Sequence, residues 1–132
     1  MQIENYKGGF QTLEVWKQAR VFRTQIGEDC KAFPKGEKYL LTSQLRDSSR
    51  SVTANIAEWY GRFNYQEIIQ FFRQSRGSPN ESLDHLTCAL DEGYISRQTL
   101  KDRESQDEKV FKANQRIYFL PSKIKEFNSI NS

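Results

Sequence analysis

His85 is the chain's single histidine. It stands four residues after Glu81 and three before Cys88. On a helix these spacings make the three side chains neighbours, so the first chemistry to test is a metal corner or a Cys–His pair. A structural zinc site needs four ligands at familiar spacings, and the sequence has no CxxC and no HxxxH. Di-metal sites in helical bundles repeat a Glu-x-x-His motif on facing helices, whereas "ESLDH" occurs once and sets Glu81 and His85 at i,i+4. There is no GxxxxGK[ST] phosphate loop, no GxGxxG and no nucleophile elbow. The expectation is a non-enzyme with no catalytic residue, no metal ligands and no cofactor. His85 then reads as a partly exposed helix histidine beside a small thiol.

The arginines offer different chemistry. Arg46 and Arg50 are i,i+4 neighbours, Arg73 and Arg76 are i,i+3 neighbours, and Arg62 stands between the two pairs; Arg20 and Arg23 repeat the pairing near the N-terminus. Guanidinium forks suit phosphates. Arg46, Arg50, Arg62, Arg73 and Arg76 are therefore the candidate contacts to RNA or another nucleic acid. The same residues could equally be solvated charge or helix ion pairs, and Glu58 can reach Arg62 at i,i+4.

Net charge is only +3 and unevenly spread. The chain up to Arg76 carries 12 Lys and Arg against 8 Asp and Glu. From Gly77 to Ser96 there are acids alone: Glu81, Asp84, Asp91 and Glu92. Such a chain attracts polyanions weakly, and it could also set its acidic segment against a basic face of a neighbouring copy.

These groups must be positioned by helices. Only 3 prolines and 7 glycines interrupt 132 residues, and Phe, Tyr and Trp supply the bulk for one core. Leu13, Trp16, Ala19, Phe22, Ile26, Cys30 and Phe33 make one apolar stripe, predicting a helix from Thr12, as cap, to Ala32. Pro34 and Gly36 stop it. A second helix begins with Thr42 or Ser43 as cap. Its inner edge is Leu45, Ser49, Val52, Ile56 and Trp59 or Tyr60, flanked by Ser48, Ala54 and Ala57. Small side chains there predict close approach of other helices, with Asn55, Glu58, Trp59 and Tyr60 as candidate helix-packing or oligomer contacts.

"NYQE" at Asn64 opens a third helix as a capping box. That helix ends at Gly93 and is expected to kink near Gly77–Pro79, where proline cannot accept the regular helix geometry. "SPNE" is alternatively a fresh N-terminus capped by Ser78. Ser96 caps the fourth helix, whose almost wholly charged stretch 101–109 is expected to face solvent or another polar surface.

The whole reads as a single all-α domain spanning 1–132: an antiparallel up-down-up-down four-helix bundle. Residues 1–9 and those after about 126 are expected to be flexible. Two cysteines make no disulfide scaffold, "MQIENYKGGF" lacks a secretory apolar region, and no apolar run approaches a membrane span. The expected setting is a reduced cytoplasm, with no membrane partner.

"FQTLEVWKQA", "FPKGEKYLLTSQLRDSSRSVTANIAEWYGR", "FFRQSRGSPNESLDHL" and "LDEGYI" resemble the 23S rRNA intervening-sequence protein family, also called the four-helix bundle protein family. The resemblance covers roughly residues 10 to 96. Thr53 stands where that family usually has proline, Trp59 where it usually has glycine, and Pro79 where it has another residue. The resemblance implies an antiparallel four-helix bundle and ring-like homo-oligomers, with a pentamer favoured. Some members are encoded inside insertions in 23S rRNA genes. A related group, the accessory variability proteins of diversity-generating retroelements, works with a reverse transcriptase and nucleic acid. Two functions follow as expectations: nucleic-acid binding, or an adaptor docking on a protein partner through aromatics such as Trp59 and Tyr60.

Overall fold

The computed structural model describes residues 9–61 and 77–118, with side chains placed through 116. The described residues form four helices and no strand: α1 (Glu14–Cys30), α2 (Leu41–Gly61), α3 (Gly77–Asp91) and α4 (Arg97–Tyr118). Each helix packs on its neighbours in chain order, and α4 returns to α1. This closes the square of an up-down-up-down bundle. In that arrangement the α1–α2 face and the α3–α4 face lie on opposite sides of the molecule.

The core is built from the stripes visible in the sequence. Ala19, Phe22, Ile26, Leu45, Leu86 and Ala89 are fully buried, and Val15, Ile56 and Val110 nearly so. Truncating a ring such as Phe22 in such a core costs about 3–5 kcal/mol. Trp59 is 6% exposed and belongs to this core, against which Trp16, Tyr60, Leu83 and Leu100 pack half-buried.

The small residues of α2 do permit close approach, on its α3 side. Ser48 and Ser82 are both buried, and their hydroxyls lie 2.8 Å apart across the two helices. Ala54, by contrast, is exposed.

The helix ends show which local signals governed. Gly93 adopts φ +79, open to glycine and strained for other residues. Around it the Tyr94 amide donates to the Ala89 carbonyl (2.8 Å) and the Gly93 amide to the Leu90 carbonyl (3.0 Å). This is the paired-bond helix stop with left-handed glycine. Ser96 caps α4, its Oγ accepting from the Thr99 amide at 3.1 Å.

The start of α1 departs from expectation. Thr12 is not the cap; it ends a 3-10 turn (Phe10–Thr12) in which its hydroxyl donates to the Gly9 carbonyl. Leu13 takes the cap position, where burial rather than a side-chain hydrogen bond fixes the chain. α2 likewise begins before Thr42, with the Gln44 amide already donating to Leu40.

Of the two alternatives for the charged stretch of α4, Arg103 takes the polar contact. Arg103 is 8% exposed and points inward to α1. The stretch therefore does not face solvent throughout.

Gly77 and Ser78 are already helical, so Ser78 does not open a new helix. The expected kink depends on the arm before Gly77, and that arm lies outside the described residues. So do residues 1–8 of the flexible end expected at 1–9, and the residues after about 126. No helix among the described residues is long and apolar enough to cross a membrane.

Candidate nucleic-acid interface

One hydrogen bond fixes the register of α1 against α2: Arg23 Nη1 donates to Thr53 Oγ1 at 2.9 Å. The Arg46 charge also acts on buried Cys30. Burial pushes that thiol's pKa up, the Arg46 guanidinium opposes the push, and Asp29 adds to it. Cys30 opposite Arg46 and Arg23 opposite Thr53 are the same antiparallel register. The flank of α1 that turns toward α2 and solvent therefore carries Trp16, Arg20, Arg23, Gly27 and Cys30. The matching flank of α2 carries Arg46, Arg50, Thr53, Ala57 and Tyr60. These positions recur at steps of three or four, the helical repeat of one side.

None of these positions holds a carboxylate. The acids of the two helices project elsewhere. Glu14 accepts from Gln18, and Glu28 pairs with Lys31 at 2.8 Å. Asp47 and Glu58 are out of phase with the Arg46–Arg50 flank and exposed. Among the described residues, the ion pairs are Lys31–Glu28, His85–Glu81, Arg103–Asp29 and Lys112–Glu108. The guanidinium groups of Arg20, Arg46 and Arg50 take part in none of them.

The strip is also open. Among the described residues, a Cβ added at half-buried Gly27 would meet nothing within 4 Å, so there is room for a side chain at the middle of it. At its far end Arg20 lies over the face of Trp16, 5.7 Å from the ring centroid, and Phe10 meets the ring edge-on at 5.5 Å. Beside them is a shallow hollow of about 490 Å³ bordered by Trp16, Lys17, Arg20 and Thr24. Cationic forks beside a half-buried aromatic ring are ingredients of backbone and base contact with nucleic acid.

The opposite face has the reverse charge. A cleft of about 270 Å³ between α3 and α4 is bordered by Glu104, Asp107 and Glu108, with Pro79 and Phe111 as apolar walls. Glu108 there is paired with Lys112 at 3.7 Å.

Of the candidate arginines, Arg46 (half-buried) and Arg50 (exposed) stand on this strip. Arg62, Arg73 and Arg76 lie outside the described residues. Arg20 and Arg23 had been visible as a pair, but only the α1–α2 register brings them beside Arg46 and Arg50. Of the candidate contact residues, Trp59 is in the core, Asn55 and Tyr60 are half-buried and Glu58 is exposed.

His85 lies 3.4 Å from Glu81, and Cys88 is exposed beside it. Among the described residues no three His, Cys, Asp or Glu side chains gather as metal ligands would.

The model of the 23S rRNA-intervening sequence protein family matches residues 11–116, from the turn before α1 nearly to the end of α4. The chain belongs to that family. The match includes every residue of the α1–α2 strip. No curated protein matches the sequence at a significant level. As a member of the 23S rRNA-intervening sequence family, the chain combines the bundle with two faces of opposite charge.

Proposed function

We propose that the protein is a non-catalytic, homo-oligomeric bundle that binds RNA or another nucleic acid through the α1–α2 strip. One observation carries this reading: Arg20, Arg23, Arg46 and Arg50 share one open flank that holds no carboxylate. Arg62, Arg73 and Arg76 extend the same reading to the segment after α2. Of these cations, which have no acidic partner among the described residues, Arg20 and Arg50 are exposed and available to phosphates.

Assembly is part of the proposal. A single copy at +3 would hold phosphates feebly. A ring of copies, five by the family resemblance, multiplies the strip and gains affinity through avidity. Light scattering at micromolar concentration should give a multiple of the 15.5 kDa subunit, and a monomer would overturn this part.

The second reading is a cytoplasmic adaptor for a protein partner. Leu40 favours it, being 59% exposed at the corner before α2. Pull-down from lysate with and without nuclease separates the two. Retained RNA that disappears on raising salt supports nucleic-acid binding, and a protein retained after nuclease treatment supports the adaptor.

A further inference from the structure

Tyr39 is 83% exposed, although Leu41, two residues on, is buried. It stands in the turn just before α2, seven residues ahead of Arg46. Lys38 Nζ lies 5.3 Å from its ring centroid. The other end of the α1–α2 strip repeats the arrangement, with Arg20 over Trp16. The strip thus has one aromatic ring at its Trp16 end, and a second, Tyr39, stands in the turn from which α2 starts, each with a cation at its face.

We propose that the strip takes single-stranded rather than duplex nucleic acid, with bases stacking on Tyr39 at one end and on Trp16 at the other. The proposal rests on the nucleic-acid reading above and narrows its ligand. Duplex keeps its bases stacked inside, so it has phosphates for the arginines and nothing for the rings. A single strand exposes the flat face of each base, and any base can stack on an aromatic ring. A cation beside the ring holds the phosphate that follows the stacked base. Phe10 packs edge-on against Trp16 and fixes one platform before the ligand arrives, so less ordering remains to be done on binding.

From the level of Trp16 to that of Arg46 is fourteen residues of α1, about 21 Å at 1.5 Å per residue, and Tyr39 lies beyond it in the turn before α2. That span suits a strand of on the order of five to ten nucleotides.

The test uses a ten-nucleotide oligouridine and a hairpin duplex of equal charge, each titrated at low salt. Tyr39 is exposed, so its replacement leaves the core intact. The single strand should bind about ten-fold tighter than the duplex. Tyr39→Ala should weaken single-strand binding about ten-fold while leaving duplex binding unchanged, and Tyr39→Phe should retain it. Oligouridine should also quench tryptophan fluorescence, and Trp16→Phe should abolish the quenching because Trp59 is buried. Equal affinity for strand and duplex, or a Tyr39→Ala variant that binds the strand normally, overturns the single-strand inference and leaves nucleic-acid binding standing. Binding of neither ligand overturns both.

Discussion

Arg103 on α4 grips Asp29 on α1 through two nearly parallel hydrogen bonds, 2.7 Å from Nε to Oδ2 and 2.9 Å from Nη2 to Oδ1. Both side chains are 9% exposed. A third donor, Nη1, reaches Gln106 Oε1 at 3.3 Å. The pair crosses the α1–α4 contact and fixes how those helices slide past each other. Taking two charges out of water costs several kcal/mol, and the fork geometry returns much of it.

The first prediction follows from that balance. Asp29→Ala leaves a buried guanidinium without its anion and should cost about 3–5 kcal/mol of unfolding free energy. Replacing both residues together, Asp29→Leu with Arg103→Met, should recover most of the loss, because no charge is stranded. Urea denaturation of the three variants reads the difference. A double variant as unstable as Asp29→Ala would show that the bonds themselves, rather than the stranded charge, dominate.

The serine pair between α2 and α3 behaves differently, since no charge is involved. Ser82→Ala removes one hydroxyl while Ser48 keeps a bond to the Leu45 carbonyl at 3.3 Å. The cost should be about 1 kcal/mol, and the Ser48→Ala, Ser82→Ala double variant should be little worse. Ser82→Leu should cost more, about 1–3 kcal/mol, because Ser82 is fully buried and a larger side chain must separate the helices. Thermal denaturation of the set checks this order.

The two thiols should differ in reactivity. Cys88 is exposed and should react with a thiol reagent at once, whereas buried Cys30 should react only as the protein opens. The raised pKa of Cys30 gives a pH signature. The neutral thiol is favoured in the folded state, so its contribution is fully present below the ordinary thiol value of 9.0 and is lost as pH rises past it. Urea midpoints between pH 7 and 10.5 should fall less steeply for Cys30→Ala than for the natural protein. Parallel slopes would mean that Cys30 plays no part in the alkaline loss.

Much of this fold was legible because bundles announce themselves by period. The stripe Ala19, Phe22, Ile26, Cys30, the stop at Gly93 and the cap at Ser96 each follow from a local rule, and each appears where that rule puts it. Arg103 was not legible, since a charge inside "LKDRESQDEK" looks like any other. Its one clue was phase: three residues after Leu100 and seven before Val110, it keeps step with the inner side of α4. The strip was half legible. Arginine pairs show in one helix at a time, but their union across α1 and α2 depends on a register set by Arg23 with Thr53, residues thirty positions apart. Tyr39 gave no warning, because a Tyr-Leu-Leu run before a helix reads as burial, and only Leu41 is buried.

The central claim is that the α1–α2 arginines meet phosphates, and its most direct measurement is the salt dependence of RNA affinity. For a single strand, the logarithm of the association constant should fall with the logarithm of salt by about 0.7 per phosphate neutralised. Arg46→Glu with Arg50→Glu should weaken binding at least ten-fold and flatten that slope by about 1.4 or more. A control of equal net charge, Lys109→Glu with Lys112→Glu on the exposed surface of α4, should change both far less. Loss of affinity in the arginine variant alone, with the flatter slope, is the result the account predicts. No binding at low salt, or equal losses in the two variants, would contradict it.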